Sequence, residues 1–186
     1  MKKLTIVFML FIFCIPFVSA QDYTKHPGYV DFGDLDELQD VEETVEVFIR
    51  GPLLRFVSKA TRNEDPNLAD LLDGLLLIRV HAFEVTPDNE KKVNNLIKDI
   101  SNKLEGKKWE RMVRVRKRDE KAEIFTQFGK NDELTGLVVL GYEDRDEAVF
   151  VNIVGRIDPE QLGKLSGKFN IPSLDSVEIE YKNKKE

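Results

Sequence analysis

Residues 134–165 constrain the fold of this chain more than any other stretch, because the boundaries of its elements are readable there. The runs 137–142 and 148–154 are rich in β-branched and aromatic residues. A charged turn at 143–146 separates them, a pattern that is typical of a β-hairpin. The stretch therefore predicts two antiparallel strands in the second half of the chain.

A helix is predicted directly after this hairpin. Asp158 can accept hydrogen bonds from the first free N–H groups of a helix, and Pro159 suits the first helical position. Gln161 can reach back to the cap. The whole stretch lacks a nucleophile motif and a cluster of metal ligands, so it predicts structure and indicates no chemistry.

The remaining pattern predicts an α+β fold with the element order β-α-α-β-α-β-β-β-β-α. The last four strands are joined by short polar turns, which is typical of an antiparallel meander. Each helix has a single apolar stripe, so we expect a sheet of about six strands with the helices packed on one face. The predicted strands are 41–49, 76–85, 108–117, 121–128, 134–142 and 147–154, and the helices before the hairpin are 52–61, 66–74 and 87–105.

The first twenty residues have the features of a secretory signal peptide. Two lysines precede an apolar run over 4–17, and the small residues Ser19 and Ala20 follow. Cleavage is expected between Ala20 and Gln21. The apolar run is shorter than the roughly 20 residues that a membrane-spanning helix needs, so an uncleaved anchor is the weaker alternative.

Cysteine usage limits the chemistry of the mature chain. Cys14 is the single cysteine and lies in the predicted signal peptide. The bulky Phe13 precedes it, so lipid attachment at Cys14 is not expected. After cleavage of the signal peptide the mature chain would have no cysteine, which excludes disulfides, zinc–thiolate sites and cysteine nucleophiles. We expect an exported protein, soluble in the periplasm or outside the cell, that its hydrophobic core holds together.

Length and charge indicate one acidic domain. We expect a signal peptide at 1–20, an N-terminal arm at 21–39, one α+β domain at 40–172 and a tail at 173–186 that can add an edge strand. The formal net charge is −6, and loss of Lys2 and Lys3 with the signal makes it −8. This balance argues against nucleic acid as a partner.

No catalytic, cofactor-binding or metal-binding residue is predicted. His26 lies in the arm, and His81 alternates with Arg79 and Phe83 in a strand, so we expect His81 on the outer face of the sheet. No serine of the mature chain lies in a glycine-flanked nucleophile elbow. The acidic residues of 31–37 only partly match a calcium loop. A hydrolase that uses two carboxylates is the alternative, because sequence does not reveal such a pair.

Basic residues concentrate in the predicted strand 108–117, although the chain is acidic. Arg114 and Arg116 are expected to share a face with Met112, and Trp109 is expected on the other face with Val113 and Val115. A candidate surface for lipid headgroups, an acidic polymer or an acidic protein consists of Lys108, Arg111, Arg114, Arg116 and Arg118. Trp109 could serve as a hydrophobic anchor at its margin. The alternative is a solvated strand whose charges discourage edge-to-edge pairing.

Short motifs along most of the mature chain resemble a known family. They occupy residues 28–32, 45–47, 51–55, 69–72, 78–80 and 137–139, and above all 148–155 with 158–162. In these motifs the chain resembles a bacterial family catalogued as domain of unknown function 4252 (DUF4252). The resemblance implies a small exported or lipid-anchored protein and supplies no catalytic residue. This chain departs from the lipid-anchored members because it lacks a usable lipidation motif.

These features favour binding over catalysis. Some genes of the resembling family lie near genes for extracytoplasmic sigma factors, which implies a role in envelope signalling. We therefore expect a non-catalytic interaction module of the cell envelope, without a cofactor and without a membrane anchor in the mature chain. Its partner would be an unknown protein or an anionic envelope component.

Overall fold

The structure is a computed structural model that describes residues 22–33, 35 and 44–158. Within them six strands form one antiparallel sheet, which confirms the predicted α+β class. The predicted signal peptide, C-terminal helix and tail lie outside the described residues. The strands are β1 (Thr44–Arg50), β2 (Leu75–Glu84), β3 (Trp109–Arg116), β4 (Glu120–Phe128), β5 (Leu134–Glu143) and β6 (Glu147–Ile157), and the helices are α1 (Gly51–Thr61), α2 (Pro66–Gly74) and α3 (Glu90–Glu105).

The predicted hairpin forms the middle of the sheet. The strand order is β1-β2-β6-β5-β4-β3, so β6 lies between β5 and the distant β2. Strands β3 to β6 form the predicted meander, and β2 then adds to its last strand. This arrangement leaves β1 and β3 as the two edges of the described sheet.

Local capping signals set the helix boundaries. The Asp65 side chain accepts a hydrogen bond from the Leu68 N–H at 3.2 Å, and α2 begins at the following proline, as predicted. The third helix begins at Glu90, three residues later than predicted. The reason is a turn in which the Asn89 side chain accepts from the Thr86 N–H at 2.9 Å.

The two faces of the sheet have different covers. Helix α3 and the arm residues Val30 and Phe32 pack on one face, here called the inner face, against side chains that include Phe125 and Phe150. Side chains alternate along a strand, so the neighbouring residues point to the opposite, outer face. Helices α1 and α2 pack at one end of that outer face, against Ile49, Ile78, Leu137 and Ile153. The helices are thus divided between both faces, whereas the sequence pattern placed them on one.

Candidate functional site

The arginines of β3 converge on a buried carboxylate. The side chain of Glu123, in β4, is only 8% exposed. Arg114 Nε donates to Glu123 Oε1 at 2.9 Å. Arg111 Nε lies 3.2 Å from Glu123 Oε2 without hydrogen-bond alignment, and Arg116 Nη2 lies 4.0 Å from Oε1. These three basic residues of the predicted surface therefore share one internal counter-ion.

Arg111 is the most buried of the three arginines and has the most contacts. It also pairs with Glu105 at the end of α3, and its guanidinium lies 5.0 Å from the ring centroid of Phe125. Its side chain is 17% exposed. The Ser101 hydroxyl of α3 donates to Glu123 Oε2 at 2.9 Å and completes the network. This cluster joins α3 to the sheet, so its first role is structural.

A β-bulge at Met112 brings these arginines together. The register of β3 against β4 shifts between Arg111 and Val113. Without the shift, Arg111 and Arg114 would point to opposite faces, because side chains alternate along a strand. The expected partition of this strand was therefore wrong for Trp109, which faces the inner core and is 6% exposed. Trp109 packs in the core and does not anchor a surface.

The rest of the predicted basic surface lies at the two ends of β3. Lys108 and Arg118 are exposed, on either side of the arginine cluster. Near Lys108, a cavity of about 310 Å³ has Lys103 and Lys107 in its lining. Lys103 Nζ donates to the backbone carbonyl of Asp31 at 3.1 Å. The predicted surface is therefore divided into separate basic positions, and its central arginines Arg111 and Arg114 are paired with Glu123.

Carboxylates line a second, larger depression near the end of β6. Its volume is about 540 Å³, and Asp70, Asp73 and Asp158 contribute to it. Arg62 pairs with both Asp70 and Asp73, whose side chains are 53% and 44% exposed. A catalytic acid usually has a water-poor setting that raises its pKa. Among the described residues the one buried carboxylate is Glu123, and arginines surround it.

His81 occupies the inner face of the sheet, and the expectation of an outer-face histidine was wrong. It is 3% exposed and contacts Phe32 edge-on. Its Nε2 accepts from Arg79 Nε at 2.5 Å, and its Nδ1 lies 3.2 Å from Glu46 Oε1. Burial lowers the pKa of His81, and the charge of Arg79 lowers it further. Both ring nitrogens are engaged, so His81 has a packing role here.

No metal centre is present in the part of the chain that the structure describes. These residues contain no group of three or more His, Cys, Asp or Glu side chains that could hold an ion. They also contain no helix that is long and apolar enough to cross a membrane.

Exposed apolar side chains concentrate at the β1 edge. Val45 and Phe48 of β1 are 54% and 44% exposed. Leu53, Phe56 and Val57 of α1 are 51%, 69% and 37% exposed. Val45 and Phe48 point to opposite faces of the sheet, because side chains alternate along a strand. Exposed apolar side chains of this size can mark an interaction site. We call these five residues the β1–α1 surface; sequence reasoning missed it because α1 has an apolar stripe wider than the part that α2 and the sheet cover.

The two edges of the sheet differ in their protection. Strand β3 has a bulge and several arginines, which are common devices against edge-to-edge pairing. Strand β1 pairs regularly with β2 from Thr44 to Arg50, without a bulge. Its exposed side chains include the apolar Val45 and Phe48 and the charged Glu46 and Arg50, of which Arg50 lies 4.8 Å from the ring centroid of Phe48. The β1 edge therefore suits the addition of another strand better than the β3 edge does.

Comparison with known proteins identifies the family and supplies no function. No curated protein and no solved structure matches the chain. The family described as Domain of unknown function (DUF4252) matches residues 38–165, which include all six described strands and the three α-helices. This match covers well over half of the 186 residues and confirms the resemblance seen in the sequence motifs. The chain therefore belongs to the DUF4252 family.

Proposed function

We propose that this chain is an exported, non-catalytic interaction module of the bacterial cell envelope that binds an extended segment of a partner protein at the β1–α1 surface. The observation that carries the proposal is an edge strand without a bulge and without a neighbouring strand among the described residues, with two exposed apolar side chains on β1 and three on α1. A role in extracytoplasmic signalling rests on the family resemblance.

The main-chain groups and apolar side chains at the β1 edge indicate which kind of partner segment would bind there. An added strand forms main-chain hydrogen bonds with the outer edge of β1, and these supply affinity without regard to sequence. The side chains of the added strand point alternately to its two sides, and their fit to this chain determines which segments bind. On the outer side they meet Val45 near the start of β1 and helix α1 only near Ile49, at the end of β1, and on the inner side they meet Phe48. The preferred partner is therefore an extended segment with apolar residues on both sides.

Site-specific cross-linking in cells tests this proposal. A photoreactive phenylalanine analogue replaces Phe48 or Phe56 in the full chain, which is produced with its own leader in its native envelope. Met112, which is 59% exposed on the other edge, provides the matched control position. We expect a discrete cross-linked protein from positions 48 and 56 and none from position 112.

Charge placed on the edge provides the second arm of the test. The double substitution Val45→Lys and Phe48→Lys should lower partner capture at least tenfold, because lysines on an edge disfavour strand addition. Met112→Lys should leave capture unchanged. The proposal fails if positions 48 and 56 give no discrete product, or if the double substitution captures as much partner as the control.

An anionic partner at the basic strand is the second candidate. The exposed Lys108 and Arg118 support it, and the pairing of Arg111 and Arg114 with Glu123 counts against it. Binding of the mature chain to anionic vesicles that weakens with salt, and that is lost when Arg114, Arg116 and Arg118 become Gln, would favour this candidate. A two-carboxylate hydrolase is a third possibility, and no described pair of buried carboxylates supports it.

A further inference from the structure

Most of the outer face of the sheet is apolar and lacks a cover among the described residues. Helices α1 and α2 pack only at one end of it. Its central side chains are partly exposed and belong to neither of the two described cores. These side chains are Val47, Val80, Val113, Val115, Ile124, Val139, Val149 and Val151.

A row of glutamates borders this face at the end opposite to α1 and α2. Glu84 is directly opposite Glu147, and Glu120 is directly opposite Glu143, so the row crosses four adjacent strands. Like charges in facing positions destabilise a sheet. Lys117 pairs with Glu120 at 2.5 Å, which raises the pKa of Lys117, and the charge of Glu143 raises it further. The row thus presents a site for several positive charges.

The chain leaves the sheet at the end where α1 and α2 lie. Strand β6 ends at Ile157, and Asp158 borders the same depression as Asp70 and Asp73 of α2. Residues 159–186 follow. The distance from the row of Ile153 to the row of Glu147 is about 20 Å at 3.4 Å per residue. Even a helix of a dozen residues spans about 18 Å, so the remaining chain is long enough to cross the outer face.

The order of residue types in 159–186 matches the order of surfaces along that path. Apolar residues recur from Leu162 to Tyr181, and three of the five lysines of the segment lie after them, before the final Glu186. The outer face likewise presents its apolar part first and the glutamate row at its far end. The apolar residues are Leu162, Leu165, Phe169, Ile171, Leu174, Val177, Ile179 and Tyr181, and the lysines of the end are Lys182, Lys184 and Lys185.

From this correspondence we propose that residues 159–186 dock across the outer face of the sheet, with their apolar side chains over the central valines and their terminal lysines at the glutamate row. The segment completes the hydrophobic core of the domain on this side. The match to the family extends to residue 165, beyond the end of β6, which is consistent with a domain that continues into this segment. The proposal does not depend on the β1–α1 surface or on a partner.

A cysteine reporter tests the docking, because the mature chain has no cysteine of its own. Val151→Cys places a thiol at the centre of the outer face, and Met112→Cys provides an exposed control. The reaction rate with a charged, water-soluble maleimide is measured on the full mature chain. Changing Lys182, Lys184 and Lys185 to Glu should increase the rate of the thiol at position 151 at least fivefold and leave the rate at position 112 unchanged.

Charge exchange makes this test specific. Glu84→Lys, Glu143→Lys and Glu147→Lys, combined with the three lysine changes, should restore the slow rate of the thiol at position 151. Circular dichroism and thermal unfolding confirm that each variant folds. The proposal is overturned if neither set of substitutions changes the maleimide reaction rate of the thiol at position 151.

Disulfide formation distinguishes this segment from other occupants. Val151→Cys is combined, one at a time, with Ser166→Cys, Ser173→Cys and Ser176→Cys. We expect an intrachain disulfide in at least one pair after mild oxidation at low micromolar concentration. Protection of the thiol at position 151 that rises with protein concentration, with only interchain disulfides, would show instead that a second copy covers the face.

Discussion

At the scale of single residues, Glu123 is the centre of the electrostatic organisation. It pairs with Arg111 and Arg114 of β3 and accepts a hydrogen bond from Ser101 of α3. A buried charge is tolerated only when such partners compensate for its lost hydration. The basic strand that looked like a surface in the sequence is therefore partly an internal network.

Glu123→Gln should destabilise the fold by about 2–3 kcal/mol, which is below the usual cost of breaking a buried pair because Arg114 and Arg116 are partly exposed. The physical reason is that Arg111 would lose its buried counter-ion while retaining its desolvation cost. Urea unfolding of the mature chain measures the change. Glu110→Gln, at an exposed position of β3, is the control and should change the stability little. Equal stability of the two variants would contradict the structural role of Glu123.

His81 should make the stability depend on pH. Burial and then Arg79 lower its pKa below 6.5 in the folded chain, although Glu46 opposes the shift. The unfolded chain thus takes up the proton first as the pH falls. The stability that His81 contributes is complete above pH 6.5 and declines from there until the pH passes the folded pKa.

The measurement is the free energy of unfolding between about pH 7.5 and about pH 5.5, a range that brackets the ordinary histidine pKa. His81→Gln should flatten its decline across this range. Burial also lowers the pKa of His26, so His26→Gln is the matched comparison for the part of the slope that does not come from His81. An unchanged slope in His81→Gln would contradict the assignment.

At the scale of elements, Asn152 connects the N-terminal arm to the sheet. This fully buried residue of β6 accepts from the Val30 N–H at 2.9 Å and donates to the Gly28 carbonyl at 2.9 Å. Gly28 approaches Gly136 so closely that neither has room for a side chain. Trp109 lies against Gly136 at the same place. The described part of the arm is therefore an integral layer of the inner core.

Asn152→Ala should destabilise the fold by about 2–4 kcal/mol, because it leaves a buried N–H and a buried carbonyl without partners. Detachment of the arm should also shift the emission of Trp109, the single tryptophan, to longer wavelength. Chemical unfolding and fluorescence measure the two effects. Asn102→Ala, at an exposed position of α3, should leave both unchanged. Wild-type emission in Asn152→Ala would argue against this connection.

At the scale of the whole molecule, one sheet separates two hydrophobic cores, and the described elements cover one face of the sheet more fully than the other. The inner core has α3 and the arm as its cover, whereas α1 and α2 cover one end of the outer face. Docking of residues 159–186 would complete the second side. The β1–α1 surface would then remain available for a partner.

Export should produce a mature chain that begins at Gln21. Mass spectrometry of protein purified from the envelope or medium determines the first residue. Ala20→Phe should block processing, because the cleavage site requires a small residue, and Ala20→Ser should permit it. A mature protein that retains the first twenty residues, or one that begins at an acylated Cys14, would contradict this expectation.

The order and type of the described elements were determined by the sequence itself, because their signals are local. Asp65 and the proline after it open α2 as predicted, and the alternating runs of the hairpin became β5 and β6. A cap, a turn or an alternation acts over a few residues, so the sequence contains it in full. The family resemblance also came from short local motifs, and the match over 38–165 confirms it.

The tertiary structure alone decided which residues meet. The bulge at Met112 joins Arg111 and Arg114 to Glu123, and one register step reverses the face on which Trp109 lies. The pairing of β2 with β6 places His81 on the inner face beside Phe32. These outcomes depend on contacts between segments that are far apart in the chain. Such contacts exist only after the sheet has formed, so a local sequence pattern does not contain them. Alternation predicts two faces for a strand, but only packing determines which of them is buried.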